Sequence, residues 1–254
     1  MTVVLETRSL VKRFGGLNAT NDVSLQVELG ARHALIGPNG AGKTTLVNLL
    51  AGVLEPSSGT VVLDGADITR LSVHARARRG IVRTFQINQL FAGLTPLSSL
   101  ALAVSVRRGK SAGWWKPLGA DGEVAAECEG LLERYRLADV MDQAVASLAY
   151  GKRRLLEIAT ALACKPRVLL LDEPAAGVPD GDRQEIFETI AALPSDVSIV
   201  LIEHDMDLVF DFARTVTVLV DGAIFAEGDV AAISSDPRVK AVYLGEDAAE
   251  PAHG

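Results

Sequence analysis

The chain has 254 residues with 25 Lys+Arg against 32 Asp+Glu, a formal net charge of −7, and is long enough to bury one large core. That charge argues against a general binder of nucleic acid or anionic membrane, whose phosphate affinity needs a cationic surface, but leaves room for a local basic site. Cys128 and Cys164 fall outside any CxxC or Cys/His spacing, so both read as free thiols and neither a disulfide framework nor a zinc site is expected.

The first residues hold no apolar run long enough for a signal peptide, and no segment approaches the ~20 apolar residues of a membrane span, so a soluble, cytoplasmic chain is expected. Val3 to Val11 reads as a strand. Asp22 to Val27 reads as another, alternating Val23, Leu25 and Val27 with polar neighbours. Ala34 to Ile36 is all apolar and is followed by a glycine-rich turn and an apolar helical stretch, Leu46 to Leu54. Thr60 to Leu63 before Asp64-Gly65 signals a hairpin and hence an antiparallel annex. Arg76, Arg78, Arg79 and Arg83 form a basic cluster that reads as a solvated helix face.

From about Ser98 to Leu162 strand-like runs are absent and three stretches read as helices. In the last of them Leu155, Ile158, Ala159, Leu162 and Ala163 share one face. Arg107 to Glu123 is rich in Gly, Lys and Pro and reads as an exposed loop. Its Trp114 and Trp115 suit either a contact surface or local packing. Val168 to Leu171, Ile199 to Ile202 and Val216 to Val220 are continuous aliphatic runs, the pattern of parallel strands covered on both faces. The fold class is therefore α/β: a parallel-sheet core with an antiparallel β annex and an inserted α-helical subdomain. One domain spans residues 1–254, with core and annex at 1–95 and 163–246, helices at about 96–162, and a frayed tail at 247–254.

Gly37, Pro38, Asn39, Gly40, Ala41, Gly42, Lys43 and Thr44 satisfy G-x-x-x-x-G-K-[ST] between a strand and a helix. Glycines let successive N–H groups turn inward and the helix N-terminus adds partial positive charge, so polyphosphate can sit there, with Lys43 reaching the β- and γ-phosphates and the Thr44 hydroxyl offered to Mg²⁺. A second half of the site is needed to tell kinases from other nucleotide enzymes. Val168 to Leu171 ends in Asp172 and Glu173, at the strand edge where ligands bind in open α/β sheets. Asp172 suits Mg²⁺, and Glu173 suits a general base for the attacking water. His204 ends the Ile199 to Ile202 strand, where its imidazole could bond the γ-phosphate or the water, or be simply structural.

Together these motifs resemble the nucleotide-binding domain of ATP-binding-cassette transporters. GPNGAGKT at 37, LLLDEP at 169 and His204 are joined by Gln86, 43 residues after Lys43, and by Leu148-Ala149-Tyr150-Gly151-Lys152, whose Leu148 lies 24 before Asp172. RTFQ at 83, LAYG at 148, LEIA at 156, DEPAAG at 172, IEHDM at 202 and AVYLGE at 241 are similar to the ATP-binding subunit of branched-chain amino-acid uptake transporters.

The resemblance implies a P-loop NTPase sheet and a nucleotide site formed by Phe14, stacked on adenine, residues 37–44, Thr45 and Gln86. Thr44, Gln86 and Asp172 would hold Mg²⁺; Lys43, Gln86, Glu173 and His204 would act in catalysis. A single upstream aromatic is equally at home in a core, so Phe14 rests on position alone. Two cassettes, identical or paralogous, would close head to tail around two Mg·ATP, each site completed by the partner's Leu148 to Lys152. Permease subunits in the membrane would dock on Ile87 to Leu100, where Phe91 and Leu94 suit either a contact or core packing. A periplasmic solute-binding protein would be an indirect partner, and the chain would lie on the cytoplasmic face of the inner membrane. The usual signature is Leu-Ser-Gly-Gly-Gln: Ala149 stands at its serine and Lys152 at its glutamine, and Pro179 stands where an aspartate is usual. Alternatives are a cassette for urea uptake or lipopolysaccharide export, a nucleotide-gated protein outside transport, and a P-loop kinase. The kinase leaves Gln86, Gly151 and His204 unexplained.

Overall fold

A computed structural model describes residues 2–84, 90–109 and 121–247. Two sheets carry the architecture. In the first, β1 (Val3–Phe14) pairs antiparallel with β2 (Leu17–Val23), β3 (Gln26–Glu28) and β5 (Ser58–Leu63), and β6 (Ala66–Asp67) closes the edge as the hairpin partner of β5. In the second, β4 (Arg32–Ile36), β7 (Ile81–Arg83), β8 (Val168–Asp172), β9 (Ser198–Ile202), β10 (Thr215–Val220) and β11 (Ala223–Gly228) lie in the order β11-β10-β4-β9-β8-β7. These strands run parallel except for the β10–β11 hairpin.

The expected strand Asp22 to Val27 is instead two segments. Asp22 takes φ 54°, and the buried Thr7 hydroxyl donates to Val23 O at 2.8 Å and accepts from Leu25 N–H at 2.9 Å. That side chain replaces two ladder bonds where the strand breaks. The alternation still holds across the break, because Val23, Leu25 and Val27 are all buried.

Helices cover both faces of the parallel sheet. α1 (Lys43–Ala51) and the antiparallel sheet pack on the face that presents Leu35, Leu170 and Val200. The other face, with Leu169, Leu171, Ile199 and Leu201, receives α3 (Pro96–Arg107), α4 (Gly122–Arg134), α5 (Tyr150–Ala163) and α6 (Asp180–Ala191). α7 (Met206–Phe212), α8 (Val230–Ser235) and α9 (Pro237–Asp247) lie toward β4 and β10, with Val209, Ile233 and Val239 packed near Ala34, Ile36, Val216 and Val218. Odd and even residues of β8 thus enter different cores, which is why this strand shows no polar alternation. Side-chain caps set several starts: Thr95 Oγ1 accepts from Ser98 N–H at 3.1 Å, with Pro96 in the first turn, and Asp229 Oδ1 accepts from Ala232 N–H at 2.7 Å. No helix among the described residues is long and apolar enough to cross a membrane.

Between β6 and β7 lies α2 (Val73–Arg78), which carries part of the basic cluster. Two of its four arginines are not on a solvated face. Arg76 is fully buried, donating to Leu49 O at 2.6 Å, Leu50 O at 2.8 Å and Thr69 O at 2.7 Å. Its guanidinium satisfies carbonyls at the C-terminus of α1 that the helix leaves open. Arg83 is buried in the candidate site. Cys128 is buried, Cys164 is partly buried, and both are free.

Candidate active site

The parallel register gathers the predicted residues at one sheet edge. β4 runs beside β9 with Leu35 opposite Ile202, and β9 beside β8 with Ile202 opposite Asp172. The turn after β4, the carboxylates after β8 and His204 after β9 therefore emerge together.

The 37–44 turn demands its glycines. Gly37 has φ 147°, and a Cβ there would lie 2.2 Å from Leu219 O. Gly42 has φ 97°, and its Cβ would lie 2.3 Å from Ala19 O. Backbone of β10 and of the β1–β2 hairpin thus presses on the turn, leaving room for hydrogen only. Gly42 caps α1 without a side-chain bond, so N–H groups of the first turn face outward, an arrangement suited to an anion. The Lys43 ammonium folds back onto the carbonyls of Gly37 and Pro38, the latter at 2.8 Å. Pro38 and Thr45 are half-buried, Asn39, Gly40 and Thr44 are exposed, and Ala41 is buried. Phe14 stands at the end of β1, half exposed, with Lys12 Nζ 5.2 Å from its ring centroid. The hairpin that carries Phe14 is the one whose Ala19 touches the glycine turn.

Asp172 is buried and paired with Arg83 at 2.5 Å, their side chains 3% and 8% exposed. Arg83 also donates to Asn48 Oδ1 on α1 at 2.5 Å, so one guanidinium braces the strand-end carboxylate against the helix behind the glycine turn. Sequence reasoning placed Arg83 on a surface. Its place three residues before Gln86 is the sequence signal that it belongs here.

Thr44 and Asp172 offer a hydroxyl and a carboxylate, hard oxygen donors that fit Mg²⁺. Among the described residues no three His, Cys, Asp or Glu side chains cluster into a metal site of their own. A metal at Asp172 would therefore complete its shell with phosphate and water oxygens.

Glu173 has φ 46°, a left-handed conformation that costs a non-glycine residue free energy and is held by its surroundings. Its N–H donates to Ile202 O at 2.9 Å, and Ala176 N–H donates back to Glu173 O at 3.0 Å. Glu203, missed by the sequence reading, supports the same loop: it is buried, with Oε1 accepting from Ala175 N–H and Oε2 from His204 N–H, each at 3.3 Å. Burial pushes its carboxyl up from the usual value, and the neighbouring Glu173 charge adds to this. His204 itself has an exposed side chain, 71%, with Nδ1 3.9 Å from Glu203 Oε2.

Leu148 is buried, and Ala149 is the N-cap of α5 and makes no side-chain bond. Gly151 is buried, its Cβ position 3.0 Å from Asp182 Oδ2. Lys152 turns away from the helix start onto Arg136 O and Asp139, the latter at 3.3 Å. Tyr150 is a third departure from the usual signature, standing at its first glycine. Pro179 is exposed and caps α6. Phe91 is exposed, whereas Leu94 is half-buried and its carbonyl accepts from Val145 N–H at 2.8 Å. Gln86, the segment 87–89, Trp114 and Trp115 lie outside the described residues.

A glycine turn opening a helix, with strand-end carboxylates beside it on a doubly covered sheet, defines a P-loop nucleotide enzyme. The chain belongs to the ATP-binding-cassette transporter family, whose profile matches residues 20–176, and residues 223–249 match the profile described as branched-chain amino acid ATP-binding cassette transporter. It is 40% identical to the high-affinity branched-chain amino acid transport ATP-binding protein BraF of Pseudomonas aeruginosa, over 96% of this chain and 98% of that one. It is 38% identical to the corresponding LivG protein of Escherichia coli, with the same coverage. Among solved structures, the ADP conformation of an ATP-binding cassette of an ABC transporter superposes with a TM-score of 0.83 at 31% identity, covering 96% of this chain and 100% of the other. A nucleotide-free cassette gives 0.82 at 31%, covering 95% and 99%. The chain is a nucleotide-binding ATPase.

Proposed function

We propose that this ATPase powers an importer of branched-chain or other hydrophobic amino acids, lying on the cytoplasmic face of the membrane through its permease subunits. The observation that carries the cargo is the C-terminal match at residues 223–249. It lies outside the general cassette match, and relatives similar over nearly the whole chain bear branched-chain amino-acid transport names. A solute-binding protein would deliver the cargo without touching this chain. Urea uptake and lipopolysaccharide export are the competing cargoes.

In this reading Lys43 and the N–H groups of the 37–44 turn bind the phosphates and oppose the charge that develops on the transferred phosphoryl. Glu173 takes a proton from the attacking water, and His204 and Gln86 hold that water and the γ-phosphate. Phe14 stacks on the base. Thr44, Asp172 and Gln86 would hold Mg²⁺, which when bound neutralises phosphate charge. The Ala149 to Lys152 end of α5 covers the nucleotide of a second cassette, so turnover needs two chains. ATP binding favours the closed pair, and product release reopens it.

The test is co-purification with the permease subunits and reconstitution into liposomes with the solute-binding protein. ATP-dependent accumulation of labelled leucine is expected. Accumulation of urea, or none of either solute with lipopolysaccharide bound instead, overturns the cargo.

A further inference from the structure

We propose that Tyr150 is a positioning residue that ties the N-terminal end of α5 to the loop carrying Glu173, so that displacing the signature helix moves the carboxylate. The inference rests on the reading of Glu173 as the base and of α5 as part of the opposing site.

Among the hydrogen bonds that hold the loop after β8, three bear on Glu173. Two come from the end of β9, through Glu173 N–H on Ile202 O and Ala175 N–H on Glu203. The third comes from the helical layer: the Tyr150 hydroxyl donates to Ala176 O at 2.9 Å, across 26 positions of sequence. Ala176 is the residue whose N–H bonds Glu173 O at 3.0 Å, so the tyrosine pulls on the turn that sets the left-handed backbone of Glu173. The approach is close. Gly177 has φ 72°, and a Cβ there would lie 3.2 Å from the Tyr150 oxygen.

The ring is itself held, packing on the helical-layer core with the Arg154 guanidinium 5.7 Å from its centroid. Arg154 is in turn buried and paired with Glu157 at 2.8 Å. A phenol with two torsions, fixed at its base, transmits displacement better than a flexible side chain would. Glycine, the usual occupant, offers no hydroxyl. Ala149 and Lys152 do not replace it, one lacking a polar group and the other committed to Arg136 and Asp139.

Tyr150→Phe removes the hydroxyl and keeps the ring. Expected are a kcat lower by about three- to tenfold, the scale of one lost hydrogen bond, with ATP-analogue affinity within about twofold and a melting temperature within a few degrees. An unchanged kcat overturns the proposal. So does a kcat loss matched by weaker nucleotide binding, which is general damage. If the Phe variant folds poorly, Tyr150→Met, which also lacks the hydroxyl, should reproduce the kcat loss at unchanged affinity; full turnover there overturns it. Glu173→Gln run alongside separates the two readings. If that variant keeps wild-type turnover, the base assignment fails; if it is inactive while Tyr150→Phe turns over normally, only the present inference fails.

Discussion

Removing the guanidinium at position 83 would leave the Asp172 carboxylate buried without its ion-pair partner, an uncompensated charge that costs about 3–5 kcal/mol in comparable pairs. Arg83→Met is therefore expected to lower unfolding free energy in urea by that order, and a loss under about 1 kcal/mol would show that water or another cation takes over. Glu173→Gln acts on chemistry instead. Its amide keeps the shape of the carboxylate but cannot accept a proton, so hydrolysis should fall by at least about a hundredfold while ATP still binds. A fluorescent ATP analogue and phosphate release measure the two properties, and undiminished release would take Glu173 out of its role. Lys43→Ala should lose nucleotide affinity outright, because the turn then keeps its dipoles but not its mobile cation.

Elements meet at polar contacts as well as apolar ones, and the β4–β10–β11 corner shows the consequence for pH. His33 Nε2 lies 2.7 Å from Thr217 Oγ1, and that hydroxyl donates to Glu227 at 2.6 Å. With its one proton committed to the carboxylate, Thr217 must accept from a protonated Nε2. Burial lowers the pKa of this histidine from 6.5 to about 4. The folded chain keeps the ring neutral while the unfolded chain takes a proton below about pH 6.5, so the contribution is complete above that value and is lost as pH falls toward about 4. The expected loss is about 3 kcal/mol at most. Urea unfolding at about pH 7.5 and about pH 4.5 should show it in the wild type and a smaller one in His33→Leu; equal losses in the two would place the acid sensitivity elsewhere.

At the scale of the molecule, the glycine turn and the α5 terminus belong to one chain but are assigned to different nucleotides. Turnover per chain should accordingly rise with protein concentration and level off once dimers dominate, and the Glu173→Gln variant should accumulate as an ATP-bound dimer in size-exclusion chromatography. A rate per chain that stays constant across dilution, with no association detected, would mean that one chain completes its own site.

The amino-acid sequence alone determined the α/β class, the antiparallel annex, the helical layer and the nucleotide motifs. Two-faced burial leaves unbroken aliphatic runs such as Val168 to Leu171, and a phosphate turn requires glycines at fixed spacing, so both are local signals. Only the tertiary structure decided which charges are buried. Arg76 and Arg83 stand in the same basic stretch as exposed arginines, yet one caps α1 and the other pairs with Asp172. It likewise decided that Lys152 faces its own helical layer, that Glu203 rather than the exposed His204 side chain braces the loop, and that Tyr150 reaches Ala176. The reason is physical: a guanidinium, carboxyl or hydroxyl takes its meaning from partners that chain folding delivers from as far as 89 positions away, and composition or periodicity within a window carries no trace of them.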